Sequence, residues 1–262
     1  MNMKISEKLM KKLPAATAML CCLVVLAISG AVKSTENAKK TMANATDSKR
    51  QVILLDAGHG GPDGGGIGVN GVIEKDINLN IVKYLGSLLS FNGYDVVYTR
   101  TEDVSIYDNG ITGLRNQKVS DMKNRLEIVK RYPESIFLSI HQNQYTDSAY
   151  FGGQMFYTTN NSNNFRLANI MQDKFAELQE GNDRDVKLID NGLYLFKETN
   201  QPALLIECGF LSNPKDAENL ANPEYQKKVA FTIYSGLSEY LSEVKSKESI
   251  KNGETESFLY MQ

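Results

Sequence analysis

The feature that most constrains this chain is a short apolar run that ends in a glycine-rich turn. Val52 to Leu55 is continuously apolar, Asp56 closes the run, and the turn that follows carries His59 among several glycines. Open α/β sheets present reactive side chains in this way, in loops at the carboxyl end of a buried strand. The stretch therefore predicts the first strand of such a sheet, followed by a functional loop.

The rest of the chain alternates strand-like and helical patterns. Helices are predicted at 76–91, 114–131, 163–178, 214–220 and 223–244. Further strands are predicted at 94–99, 135–140 and 203–207, with an edge strand within 151–158 and a short strand at 193–196. This alternation favours a single three-layer α/β domain, with a mostly parallel, twisted sheet of about six strands and helices on both faces.

The ends of the chain differ in composition from the part between them. Residues 1–32 combine early lysines with an apolar run from Leu13, which predicts an export segment, either a cleaved signal peptide or an uncleaved signal anchor. Residues 33–50 are predicted to be a polar linker, 51–244 the catalytic domain and 245–262 a charged, frayed tail. The basic flank favours a domain exported across the cytoplasmic membrane and either secreted or anchored there.

The net charge argues against a nucleic-acid partner, and the cysteine content excludes disulfide bridges and cysteine zinc ligands. The net charge is −2 and no basic stripe stands out, so a nucleic-acid partner is not expected. Two of the three cysteines lie in the apolar amino-terminal segment and only Cys208 lies in the domain. This excludes a disulfide framework and a cysteine-type zinc site.

Two histidines and two acids are placed for metal chemistry. His59 and His141 are the only histidines of the chain, and each follows a predicted strand. A catalytic zinc needs three protein ligands and an open position. Glu74, just after the glycine turn, is the best-placed acid; its competitors are Asp56, Asp63 and Asp76. Glu207, at the end of the last long strand, is the candidate general base, and burial would raise its pKa.

Three other interpretations of these residues are open. Glu207 could instead form a core ion pair with Arg125. The glycine run could cradle phosphate, although it lacks the dinucleotide and P-loop patterns. Cys208 could be a nucleophile, but only a histidine could serve as its base, and a small buried residue is the simpler interpretation.

Six ordered motifs carry a resemblance to a known family. They are Leu55–Gly61, Glu74–Leu79, Val97–Arg100 with Asp103, Arg125, Ser139–Asn143 and Leu205–Asn213. Over about residues 52–241 the chain resembles the zinc-dependent N-acetylmuramoyl-L-alanine amidases of bacterial cell walls, the amidase type 3 family.

The resemblance implies an activity and assigns roles to residues. It implies one Zn²⁺ per chain held by His59, Glu74 and His141, with Glu207 as the catalytic carboxylate. Arg125, structural or substrate-positioning, and Asn143, beside the zinc, are the implied substrate-binding residues. The implied reaction is hydrolysis of the amide between the lactyl group of N-acetylmuramic acid and L-alanine of the peptidoglycan stem peptide.

Three positions depart from the family pattern. Ala57 stands where proline is usual, Gln142 where alanine is usual, and Cys208 where threonine or serine is common. None of them removes a ligand or the base. Gln142 would place a longer polar side chain next to the metal and could change the substrate fit or the need for an accessory protein.

Within the family, the short single-domain form resembles the sporulation and germination amidases of the CwlD type, which prepare muramic-δ-lactam in the spore cortex. Residues 151–183 are too few for the helical insertion that plugs the zinc of some division amidases. The alternatives are a vegetative cell-wall amidase (an autolysin or cell-separation enzyme), a non-catalytic peptidoglycan-binding protein on the same fold, and a metallopeptidase or deacetylase with a similar zinc set. An accessory protein that stabilises the metal site is a further expected partner, and membrane contact is expected only through the amino-terminal segment. The exported domain would face the cell wall or the spore cortex.

Overall fold

The structure is a computed structural model that describes residues 50–189 and 193–259. The predicted export segment, 1–32, and nearly all of the predicted linker, 33–50, lie outside the described residues. No helix within the described ranges has the length and apolar character needed to cross a membrane.

Six strands form one mixed sheet. They are β1 (Val52–Ala57), β2 (Asp95–Tyr98), β3 (Ile136–Asn143), β4 (Gln154–Tyr157), β5 (Lys187–Leu188) and β6 (Ala203–Phe210). Their order across the sheet is β2-β1-β3-β6-β4-β5. Only the pairing of β4 with β6 is antiparallel; the other neighbours run parallel. The predicted six-stranded, mostly parallel sheet is confirmed.

Helices cover both faces of this sheet. They are α1 (Glu74–Phe91), α2 (Leu114–Arg131), α3 (Asn164–Leu178), α4 (Tyr194–Lys197), α5 (Pro214–Ala221) and α6 (Pro223–Leu259). Residues of α1, α3 and α6 share one apolar cluster with the sheet, and residues of α2 and α4 share a second cluster on the opposite face. This arrangement confirms the predicted three layers.

The two faces of each central strand belong to different clusters. On β1, Ile53 and Leu55 face α1, whereas Leu54 faces α2. Successive side chains of a strand point to opposite faces, and parallel strands are buried on both. Because β1, β3 and β6 are adjacent and parallel, their carboxyl ends meet at one edge of the sheet.

Two sequence predictions about local structure are wrong. Residues 193–196 were expected to form a strand, but α4 is one helical turn that buries Leu195 and Phe196, and the extra strand is β5 at 187–188. A short apolar run has no clear period, so burial decides its conformation. The last helix was expected to end at Val244 but continues to Leu259, through a stretch rich in lysine and glutamate and without proline.

Candidate metal centre

Three side chains from distant parts of the chain converge at the carboxyl edge of the sheet. His59 lies in the loop after β1, Glu74 is the first residue of α1, and His141 lies near the end of β3. One ligand atom from each lies within 4.8 Å of the other two. His59 Nε2 is 3.2 Å and His141 Nδ1 is 3.0 Å from Glu74 Oε1. The structure thus brings together the three residues that the sequence predicted as ligands.

Two backbone donors contact the Glu74 carboxylate, and two imidazoles favour its ionised form. Its Oε2 accepts a hydrogen bond from Gly66 N (2.7 Å), and its Oε1 accepts one from Gln142 N (3.1 Å). Burial alone would raise its pKa, but hydrogen bonds with His141 and His59 outweigh burial and hold the pKa far below its ordinary value. An ionised carboxylate between two imidazoles attracts a positive charge.

The glycines of the loop leave room for the ligand side chains. A Cβ at Gly58 would lie 2.2 Å from His141 Cε1, and a Cβ at Gly65 would lie 2.5 Å from Glu74 Oε2. His59 itself has φ 62°, in the left-handed region that non-glycine residues rarely adopt. The glycine-rich motif therefore brings the backbone close enough for His59, Glu74 and His141 to meet.

Gly58→Ala tests this role of the loop. The added methyl group would collide with the His141 ring, so we expect the ring to shift and zinc to bind on the order of tenfold or more weakly, the scale on which support of metal ligands acts. Isothermal titration of the full chain with zinc measures the change. Gly71→Ala is a control on the same loop with open space around the Cβ, although its positive φ adds backbone strain. Equal zinc affinity in Gly58→Ala and the wild type would contradict this account.

Glu207 lies beside the three candidate ligands, and its side chain shares a face of the sheet with that of His141. It is the register partner of His141 across β3 and β6, and its buried Oε2 has no hydrogen-bond partner among the described residues. Burial raises its pKa to about 7. The carboxyl group lines a cavity of about 320 Å³ together with His59 and His141. A carboxyl with this pKa can take and return a proton near neutral pH.

The raised pKa of Glu207 predicts how stability depends on pH. Between its ordinary pKa of 4.5 and its folded pKa of about 7, the folded state keeps a proton that the unfolded state has released. The free energy of unfolding therefore falls as the pH rises through this window. Glu207→Gln cannot titrate, so in chelator its free energy of unfolding should rise relative to the wild type by roughly 3 kcal/mol across the window. Urea denaturation at several pH values measures the difference, and a difference that is constant with pH would contradict it.

Arg125 is a structural residue beneath the site. Its Nε donates to Asp121 (2.7 Å), its Nη1 donates to Asp56 (2.5 Å) and to the Ala57 carbonyl (2.8 Å), and its Nη2 donates to the His59 carbonyl (2.6 Å). The residue is 2% exposed. These contacts agree with the structural role that the resemblance allowed for Arg125, and a substrate-binding role stays a prediction. The alternative pair with Glu207 does not form either.

Asp56, one of the competing acids, belongs to the same buried network. It accepts from Thr99 (2.7 Å) and Ser139 (2.6 Å) as well as from Arg125. Burial would raise its pKa, but the charge of Arg125 and these hydrogen bonds lower it to about 2. Asp56 thus anchors the end of β1 and is not among the converging ligands.

Gln142 does not point toward the ligands, contrary to the sequence prediction. It follows His141 on β3, so its side chain lies on the opposite face, where Nε2 donates to Asn78 Oδ1 (3.0 Å). Asn78 in turn donates to Glu74 Oε1 (3.3 Å).

Cys208 is fully buried on the same face of the sheet as the Gln142 side chain, and burial raises the pKa of its thiol. Its burial and raised pKa agree with the interpretation of Cys208 as a small buried residue and argue against a nucleophile.

Asn143 lies two residues beyond His141, where the pairing of β3 with β6 shifts register. Its Oδ1 accepts from Gln144 N (2.8 Å). A substrate contact for Asn143 remains a prediction. Sequence reasoning missed the roles of Asn78 and Asp121. Each lies four residues along a helix from its partner, Glu74 or Arg125, and only this spacing could have indicated a role.

The fold and these residues define an α/β domain with a His-Glu-His set of candidate metal ligands beside a buried carboxyl group of raised pKa. The family model described as N-acetylmuramoyl-L-alanine amidase matches residues 53–239. The chain belongs to this family, amidase type 3, as the motifs predicted.

Individual relatives agree with this assignment. The germination-specific N-acetylmuramoyl-L-alanine amidase of Bacillus subtilis is 36% identical over 74% of this chain and 81% of that protein. LytC of the same species, an N-acetylmuramoyl-L-alanine amidase, is 32% identical over 72% of this chain but only 35% of its own length. Among solved structures, the CwlD amidase from Clostridioides difficile in complex with the GerS lipoprotein is 39% identical with a TM-score of 0.71, over 74% of this chain and 99% of that chain.

Proposed function

We propose that this protein is a zinc-dependent N-acetylmuramoyl-L-alanine amidase that hydrolyses the amide between the lactyl group of N-acetylmuramic acid and L-alanine of the stem peptide. The observation that carries the proposal is the convergence of His59, Glu74 and His141 within 4.8 Å, beside Glu207, whose buried Oε2 has no hydrogen-bond partner among the described residues. Family membership supports the choice of substrate.

The donor set suits zinc. Two imidazole nitrogens and one carboxylate oxygen form a typical set of three protein ligands for a catalytic zinc, with one position left for water. The glycine loop adds support, since a Cβ at Gly58 or Gly65 would fill the space that the ligand side chains need. When bound, zinc would activate a water molecule and polarise the scissile carbonyl.

The residues of this chain would supply the proton transfers. Glu207, ionised for attack, would take a proton from the attacking water and later deliver it to the leaving amine of L-alanine. Its pKa of about 7 allows both steps near neutral pH. Met122, Phe196 and Leu205 line the same cavity and would exclude bulk water around the carboxyl group.

We further propose a role in maturation of the spore cortex, in which removal of stem peptides precedes formation of muramic-δ-lactam. The B. subtilis relative is named as germination-specific, and this chain covers 81% of it. Export by residues 1–32 would bring the domain to the wall. The C. difficile relative in complex with a lipoprotein supports an accessory partner for this chain.

The test uses the full chain in detergent with purified cortex and vegetative peptidoglycan. We expect new amino-terminal L-alanine when zinc is present, none after chelation, and recovery when zinc is restored. Release from cortex but not from vegetative material would support the sporulation role, whereas the reverse preference would favour the vegetative amidase, for which similarity to LytC is the specific argument.

The products also distinguish the remaining alternatives. Cleavage within the stem peptide would indicate a metallopeptidase, and free amino sugars would indicate a deacetylase. Zinc-loaded protein that releases nothing but binds peptidoglycan would indicate the non-catalytic function and overturn the proposal.

A further inference from the structure

The ring of His59 is held on both sides. Its Nε2 faces Glu74 Oε1 at 3.2 Å, and its Nδ1 lies 3.0 Å from Asp63 Oδ2. The two nitrogens of an imidazole point in different directions, so Asp63 meets the nitrogen that faces away from the candidate ligand set. The sequence placed Asp63 among the acids competing with Glu74, but it is not one of the three converging residues.

Asp63 is itself fixed by its surroundings. Gly60 N donates to the Asp63 carbonyl (2.9 Å) and Asp63 N donates to the Gly60 carbonyl (3.1 Å). These two bonds fold the loop back on itself and place the Asp63 side chain next to the His59 ring. Lys118, from α2, reaches Asp63 Oδ2 (3.0 Å) and Oδ1 (3.2 Å). A backbone hairpin and a lysine therefore hold the carboxylate against the ring.

We propose that Asp63, held in place by Lys118, is the positioning residue of His59. Asp63 accepts the Nδ1 proton and so fixes the tautomer in which the Nε2 lone pair faces the metal. Histidines that bind metals commonly donate their other ring N–H to a carboxylate, which orients the ring and strengthens the ligand. The proposal rests on the proposed function, since it assumes that His59 Nε2 is a ligand.

A second lysine–aspartate pair on the same loop separates this role from simple loop anchoring. Asp103 Oδ1 accepts from Gly61 N (2.8 Å), and Lys75 donates to Asp103 Oδ2 (2.7 Å) and to the Gly61 carbonyl (2.9 Å). This pair anchors the loop at Gly61, two residues from His59. Among the described contacts, none connects Asp103 with the ring of His59 or His141. Asp103→Asn is therefore a matched control for Asp63→Asn.

The test measures zinc affinity of the full chain by competition with a chromophoric chelator, and the visible spectrum of the Co²⁺ form. Asp63→Ala should weaken zinc binding by about 10- to 100-fold. Asp63→Asn should lie between it and the wild type, because the amide oxygen still accepts the Nδ1 proton while the charge is lost. Lys118→Met should cause a smaller loss, and Asp103→Asn should match the wild type.

The Co²⁺ spectrum reports the geometry of the ligands and would not move if Asp63 only stabilised the fold. We expect altered bands in both Asp63 variants and unchanged bands in Asp103→Asn. If Asp63→Ala and Asp103→Asn had the same zinc affinity and the same cobalt spectrum, the positioning role would be overturned, while zinc binding and amidase activity of the wild type would leave the proposed function standing. A wild-type protein that bound no zinc would overturn both. Asp63→Asn, nearly identical in shape, keeps the test decisive if Asp63→Ala fails to fold.

Discussion

Glu207→Gln should slow the release of stem peptides by at least about 100-fold while the protein keeps its zinc. The amide cannot accept a proton from the attacking water, and the loss of a general acid–base group costs about 10²- to 10⁴-fold in rate. Glu207 is not one of the three converging ligands, so the metal site should survive the change. Quantifying new amino-terminal L-alanine and zinc content in the same preparation measures both effects.

Glu224→Gln is the matched control for this variant, because Glu224 is an exposed glutamate at the start of α6 that pairs with Lys227. It should retain full activity. An active Glu207→Gln enzyme would show that another group moves the proton. Loss of zinc together with activity would instead place Glu207 among the groups that hold the metal.

Arg125→Met should destabilise the domain by about 3–5 kcal/mol, the usual cost of removing one partner from a buried ion pair. The substitution removes the ion-pair partner of two buried carboxylates, Asp56 at 1% exposure and Asp121 at 6% exposure. It also removes the donors to the Ala57 and His59 carbonyls that fix the start of the glycine loop. Chemical denaturation in the presence of chelator measures the loss without a contribution from metal binding.

Arg166→Met is the control for a surface pair. Arg166 contacts Glu243 across α3 and α6 in an exposed pair, and such pairs contribute little to stability. Its denaturation midpoint should remain that of the wild type. Were Arg125→Met equally stable, the buried network would not be what supports the loop, and the position of His59 would need another explanation.

The location of the site at the carboxyl edge of the sheet was predictable from the alternation of strands and helices. Parallel strands end at a common edge, so His141 and Glu207, each at a strand end, had to lie near one another and near the loop carrying His59. The choice of Glu74 among four acids needed the family resemblance, since spacing alone does not say which carboxylate turns inward.

The orientation of individual side chains was harder to predict. Arg125 could have faced substrate or the core, and only the positions of Asp56 and Asp121 decide between them. Gln142 could have been assigned correctly from strand alternation, because His141 and its neighbour must face opposite sides. Asp63 was recognised as an acid near His59, but its position behind the ring depends on the hairpin that joins it to Gly60.

The alternation of β6 also separates two reactive groups that are neighbours in sequence. Glu207 opens toward the cavity, whereas Cys208 lies on the other side of the sheet with no exposed surface. A thiolate is a strong zinc ligand and is readily oxidised. One layer of backbone thus keeps the sulfur away from the three candidate metal ligands and out of reach of oxidants in the solvent.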